Sequence, residues 1–205
     1  MKSLTPAAIL AVALLAAGAA SASTIGLPGT TGVYSTWDTF PSAAFTGDAP
    51  DTASTSFTGT LDFSTTPGSA ILTGGGQRVY TNENASLFTV AGTSTVAITD
   101  LQITLKFTAP GTGTPADFFT VALGGVGAGT LGYLGNSVEG ANTFQIYEWT
   151  WSNLSIAAGQ SFSITAAGLP DHVSIDAVQV GSVPEASTSI LGALAAGAML
   201  VRRRR

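Results

Sequence analysis

Cysteine is absent from this 205-residue chain, which excludes a disulfide scaffold and any thiolate metal site. Histidine occurs once, at His172, so a zinc centre built on several histidines is excluded as well. Charged residues make up only 9% of the chain, too few for surface helices laced by ion pairs. Positive charge is scarcer still. Between Ser23 and Ser182 the basic residues are Arg78 and Lys106 alone, against eleven Asp and Glu. Such a surface repels phosphate backbones, which argues against nucleic acid as a partner. The chain also lacks a Gly-x-Ser-x-Gly nucleophile elbow, an Asp-x-Asp-x-Asp calcium loop and a Gly-Lys-Ser/Thr phosphate cradle, each of which needs its own residue spacing to work. The glycine-rich run from Gly124 to Gly129 follows no βαβ pattern and reads as a flexible loop.

What the chain has instead is apolar alternation. Leu101, Ile103, Leu105 and Phe107 recur at period two, as do Phe57, Leu61 and Phe63, the signature of half-buried strands. Phe144 and Ile146 lead into Trp149 and Trp151; Phe162 pairs with Ile164; Val173, Ile175 and Ala177 are placed on one face. Turn residues at Pro67-Gly68, Gly74 to Gly76, Pro110-Gly111, Ala158-Gly159 and Gly168 to Pro170 separate these runs. No amphipathic helix and no fixed-period repeat interrupts them. Residues 23–182 are therefore expected to form one all-β domain, an antiparallel, jelly-roll-like β-sandwich, with Ser42 to Thr60 as a long surface loop.

Candidate chemistry within that domain is thin. His172 lies beside a Pro170-Asp171 turn signal and reads as a turn histidine rather than a triad member with Asp176. Glycoside hydrolysis needs only two carboxylates about 5 to 10 Å apart, and Glu83, Glu139 and Glu148 are the residues from which such a pair would come. Trp149 and Trp151, flanking the Glu148 region, either line a sugar groove or share one strand face and fill the core; periodicity favours the core. The segment Asp171 to Asp176 resembles the closing strand of carbohydrate-binding jelly rolls, but the oxygen ligands calcium requires are not supplied by its spacing. No catalytic residue, metal ligand or cofactor is assigned.

Both ends read as addresses. Lys2, the apolar run Ala7 to Ala20 and the small residues Ala20-Ser21-Ala22 form a secretory signal peptide over residues 1–22, with cleavage expected between Ala22 and Ser23. At the other end Val183-Pro184-Glu185 precedes an uncharged stretch, Ala186 to Val201, and then Arg202, Arg203, Arg204 and Arg205. As a helix that stretch rises about 24 Å, against a hydrocarbon core of about 30 Å. The arginine block would hold the C-terminus in the cytoplasm.

Residues 183–205 resemble the PEP-CTERM sorting domain of Gram-negative bacterial proteins: a Pro-Glu-Pro signature, an apolar transmembrane helix and a terminal arginine cluster. Ala186 stands where that family has its second proline. The resemblance implies an exosortase, an integral-membrane processing enzyme, as partner, with exopolysaccharide as companion. It also implies an inner-membrane-anchored precursor that ends at the cell surface or in the extracellular matrix. On that footing the expected role is a non-enzymatic, surface-sorted envelope or matrix protein. The alternatives are a carbohydrate-binding module using Trp149 or Trp151, or a secreted glycan-active hydrolase.

Overall fold

The computed structural model describes residues 33–65, 70–74, 78–81, 86–108, 120–169 and 172–182. In chain order the strands are β1 (Val33–Trp37), β2 (Phe45–Asp48), β3 (Thr52–Ala53), β4 (Phe57–Ser64), β5 (Ala70–Thr73), β6 (Arg78–Thr81) and β7 (Ser86–Ser94). They continue as β8 (Leu101–Thr108), β9 (Thr120–Leu123), β10 (Gly127–Ala128), β11 (Thr130–Glu139), β12 (Asn142–Trp151), β13 (Ser161–Leu169) and β14 (Ser174–Ser182). An eight-stranded sheet runs β11-β12-β8-β14-β1-β3, with β6 also pairing β14 and β5 pairing β6. A six-stranded sheet runs β10-β9-β13-β7-β4-β2. Every pairing is antiparallel. The all-β, two-sheet sandwich is thus the architecture.

The alternating residues of the two sheets meet in one core. Leu101, Ile103, Leu105 and Phe107 of β8 oppose the Phe57, Leu61 and Phe63 side of β4, all at most 2% exposed. Fully burying each such side chain contributes roughly 1.5–3 kcal/mol. The rings of Phe63 and Phe88, opposite each other on β4 and β7, stand 4.5 Å apart, close enough to add a packing contribution beyond area. Glycine makes room where rings crowd. A side chain at Gly92 would bring its Cβ within 2.7 Å of Phe162 Cζ and 3.0 Å of Phe57 Cζ.

A bulge in β14 divides its side chains between the two faces of the eight-stranded sheet. The register against β8 slips between Ile175 and Ala177, where the neighbour on the other side changes from β6 to β1. Asp176 is the extra residue, and a bulge of this kind re-aims side chains. Consequently Ile175 joins the main core while Ala177 packs with Ile146 on the outer face of the eight-stranded sheet; the expectation that Val173, Ile175 and Ala177 share a face is corrected. The outer face is itself largely closed to solvent: Thr36, Thr104, Lys106, Phe144, Ile146, Ala177 and Gln179 are each at most 6% exposed. This explains β12, on which Tyr147, Trp149 and Trp151 face the core and Phe144 and Ile146 the other side.

Ser42 to Thr60 is not a featureless loop; it contains β2, β3 and the start of β4. The run from Gly124 is a tight turn joining β9 to β10, made possible by left-handed Gly125 (φ 77°). The expected flanking helix is also corrected. The described residues contain no helix of any kind, and none long and apolar enough to cross a membrane. The described fold is the sandwich, with no transmembrane helix among the described residues, and residues 1–22 and 183–205, on which the signal peptide and the sorting helix were expected, lie outside the described set.

Candidate functional site

The two cations of the sandwich converge on one point of the outer face. Arg78 leads β6 and Lys106 sits near the end of β8, twenty-eight positions later in sequence, yet both reach the same two carboxylates. Arg78 Nε donates to Asp176 Oδ1 at 2.7 Å, and its Nη2 donates to Glu139 Oε2 at 3.1 Å. Lys106 Nζ donates to Asp176 Oδ2 at 2.6 Å and to Glu139 Oε1. The result is a closed ring, Arg78–Asp176–Lys106–Glu139, in which every carboxylate oxygen accepts from a cation. Four strands supply it: β6, the β14 bulge, β8 and the end of β11.

Its environment is graded. The Lys106 side chain is 3% exposed, Asp176 10%, Arg78 18% and Glu139 41%, so the ring runs from a buried ammonium to a carboxylate in water. Beneath it lies the Phe144 ring, 4.7 Å from the Arg78 guanidinium carbon and 5.1 Å from Lys106 Nζ. Both contacts are within cation–π range. Burial works against the Lys106 ammonium, but its bonds to Asp176 and Glu139 outweigh that cost and hold its pKa above the ordinary lysine value. The bond to Asp176, followed against burial by the charges of Asp176 and Glu139, likewise raises Arg78.

Alternation on β6 puts Tyr80 on the same face as Arg78. Its hydroxyl is hydrogen-bonded to His172 Nδ1, and the two rings lie 5.9 Å apart. His172 holds a left-handed backbone (φ 63°) in the turn before β14, so the turn reading stands and the side chain is exposed. Ile71 of β5, opposite Tyr80 in the register, is 49% exposed. Aromatic, aliphatic and charged groups therefore adjoin along β5, β6 and the rim of the ring.

The residues singled out from sequence fare unequally. Trp149 and Trp151 are 3% and 4% exposed and belong to the core; the Trp151 indole N–H donates to the Gly127 carbonyl at 2.9 Å. Neither lines a groove, because both face the six-stranded sheet. Glu139 is brought beside Asp176 through the shared cations, while Glu148 sits against Gly132 and takes no part in the ring. Glu83 lies outside the described residues, as do Ala22, Ser23, Val183, Pro184, Glu185 and Arg202 to Arg205. Among the described residues no group of three or more His, Cys, Asp or Glu is arranged to hold a metal ion.

A second acidic feature joins β1 to β3. Asp51 accepts from the Asp38 and Thr39 backbone N–H groups at 2.7 and 2.9 Å and from the Thr39 hydroxyl at 2.6 Å. Burial pushes Asp51 upward, but these bonds prevail and hold it below the usual carboxylate value. Burial, then the bond to Asp51 and its charge, raise Asp38 to about 6. The two carboxyls titrate as a pair, with Asp38 the member whose acidity is weakened.

No family model matches this chain, and no curated protein matches it. Among solved structures it is similar to a family GH115 4-O-methyl-α-glucuronidase, BtGH115A, described as having specificity for decorated arabinogalactans. The likeness covers 78% of this chain and 19% of that enzyme, at 13% identity and a TM-score of 0.41. The chain therefore spans about a fifth of the enzyme's length, and the likeness carries no argument about activity.

With no family match and no membrane-spanning helix among the described residues, the non-enzymatic, surface-sorted reading is withdrawn. So are the exosortase partnership, the membrane anchor and the inner-membrane-anchored precursor.

Proposed function

We propose that this sandwich binds a carbohydrate on the outer face of its eight-stranded sheet, at the rim formed by Arg78, Glu139, Tyr80 and His172. The supporting observation is the adjacency on β6 of Arg78, which joins the ring to its exposed member Glu139, and Tyr80, which is hydrogen-bonded to the exposed His172. Sugars present hydroxyls around an apolar ring face, so a site for them combines charge-assisted hydrogen bonding with a flat aromatic surface. Because Arg78 and Lys106 are already matched by two carboxylates, the rim carries no surplus positive charge, which suits a neutral glycan better than an anionic one. Binding to immobilised neutral polysaccharides, measured by calorimetry, is expected for the wild-type protein and at least tenfold weaker for Tyr80→Ala. Wild-type protein that binds no such polysaccharide, or a Tyr80→Ala variant that binds equally, overturns the reading.

Two carboxylates meeting at one rim also suit a glycan-active protein, since Asp176 and Glu139 face each other across the cations. The same polysaccharides distinguish the two readings. Release of reducing ends that disappears in Glu139→Gln moves the assignment from binding to hydrolysis.

A further inference from the structure

The ionic ring holds an amine, a carboxyl carbon and a proton carrier in contact, which is more than glycan binding asks of it. Lys106 Nζ lies 2.6 Å from Asp176 Oδ2, so the nitrogen is at contact distance from Asp176 Cγ, the separation from which bond formation starts. The two residues stand on neighbouring strands. Lys106 of β8 pairs with Ala177 of β14, and Asp176 is the extra residue of the β14 bulge, which aims its carboxyl at the lysine. Lys106 Nζ also donates to Glu139 Oε1, and Arg78 Nε donates to the other Asp176 oxygen, Oδ1, at 2.7 Å.

In water a lysine and an aspartate stay ionised, because each ion is hydrated and condensation to an amide is unfavourable. This pair is largely cut off from water. The Lys106 side chain is 3% exposed and Asp176 10%, the Phe144 ring lies 5.1 Å from Nζ, and buried Ile146 and Ala177 pack together on the same face. Burial penalises two charges far more than a neutral, hydrogen-bonded amide. Holding the partners in contact adds an effective concentration of roughly 10⁵–10⁸ M.

We propose that Lys106 and Asp176 condense into an intramolecular isopeptide bond, with Glu139 carrying a proton and Arg78 stabilising the oxygen that remains. A first ammonium proton passes from Nζ to Oδ2 along their hydrogen bond, leaving a neutral amine beside a neutral carboxyl. The Nζ lone pair then attacks Cγ. A carbon–nitrogen bond forms, and the carbonyl pair moves onto Oδ1, where the Arg78 Nε–H meets the developing negative charge. Glu139 takes a second proton from the nitrogen and delivers it to Oδ2. The Cγ–Oδ2 bond breaks, Oδ2 leaves as water with both protons, and the pair on Oδ1 restores the carbonyl. One hydrogen stays on the amide nitrogen, and Glu139 ends as the carboxylate it began.

The gradient of exposure assigns the roles. Asp176 is the buried carboxyl, for which ionisation costs most, whereas Glu139 at 41% exposure keeps its hydration and gives the released water a way out. Burial lowers the Lys106 pKa, but the bonds to Asp176 and Glu139 prevail and hold it above the ordinary lysine value. The neutral amine is therefore scarce and the bond forms slowly. Freshly folded protein carries the ionic ring, and the amide accumulates with age. The condensation does not depend on glycan binding, since Arg78 and Glu139 remain an ion pair at the rim after it.

Loss of one water makes the test a mass measurement. The full-length chain, taken fresh and again after prolonged warm incubation at neutral pH, is expected to show a growing species lighter by one water. In that species trypsin should fail to cut after Lys106, and a chymotryptic digest should leave the peptides holding Lys106 and Asp176 joined. Aspartates also lose water by cyclising onto their own backbone, so Lys106→Arg is the control: it keeps a cation for both carboxylates but has no amine to condense. That variant is expected to keep its full mass, and Glu139→Gln to lose water at least tenfold more slowly than wild type. The wild-type peptide map decides by itself where Lys106→Arg does not fold. No lighter species, separate Lys106 and Asp176 peptides in it, the same loss in Lys106→Arg, or an undiminished rate in Glu139→Gln overturns the proposal.

Discussion

Lys106→Met isolates what the buried end of the ionic ring contributes. Methionine fills nearly the same volume, so little packing is lost, but Asp176, 10% exposed, loses one of its two cations. Removing one member of a buried ion pair typically destabilises by about 3–5 kcal/mol, because a charge is left without its counter-ion. Asp176 keeps Arg78 Nε at 2.7 Å, and Glu139, 41% exposed, recovers water on its own. Both facts place the expected loss at the lower end, about 3 kcal/mol.

Trp37, Trp149 and Trp151 are all buried, so urea unfolding followed by tryptophan fluorescence reads the change. The loss should persist in high salt, since an ammonium 3% exposed is beyond effective screening. Adding Asp176→Asn to Lys106→Met removes the orphaned charge and should restore about 2 kcal/mol of that loss. A Lys106→Met variant within about 1 kcal/mol of wild type, or a double variant no more stable than the single, would show that the ring is surface decoration.

The remaining expectations are narrower. Gly92→Ala forces a Cβ against Phe162 and Phe57 and should cost about 1–3 kcal/mol in the same urea assay. Asp38 binds its proton more tightly folded than unfolded, so the stability it contributes is present at low pH and lost as pH rises through about 6. Asp51, held low, has the opposite sign and keeps its contribution above the ordinary carboxylate value. Asp38→Asn should therefore stabilise the protein at pH 7.5, by about 1 kcal/mol once solvent screening of this partly exposed site is allowed for, and give no gain at pH 5 in thermal melts. The Tyr80→Ala binding test completes the set.

Alternation made β4 and β13 legible in the sequence because each buries one face on a single core, the case for which period two is diagnostic, and β8 because its closed outer face carries the polar residues Gln102, Thr104 and Lys106. It misled at Ala177 and at β12. A bulge changes parity without any mark in composition, and a strand buried on both faces shows no clean alternation. The tryptophans were legible as core for the same reason that excludes them as sugar contacts: Trp149 and Trp151 share the parity of Tyr147. The ring was not legible. Lys106 stands between Leu105 and Phe107 at a position that alternation assigns to solvent, and nothing in the sequence says that this outer face is closed. A usable signal was nevertheless present. A domain with two cations and eleven carboxylates has few ways to neutralise a buried charge, so each cation is a candidate for a structural or binding role.

That scarcity also sets Glu139 apart from the other three members of the ring. It closes the ring from the end of β11 and is the most exposed of the four, at 41%. Glu139→Gln loosens the ring there, costing less than about 1 kcal/mol because the group regains water, and should weaken glycan binding at the rim in the same calorimetric assay. A Glu139→Gln variant that binds as tightly as wild type would show that the rim does not use this carboxylate.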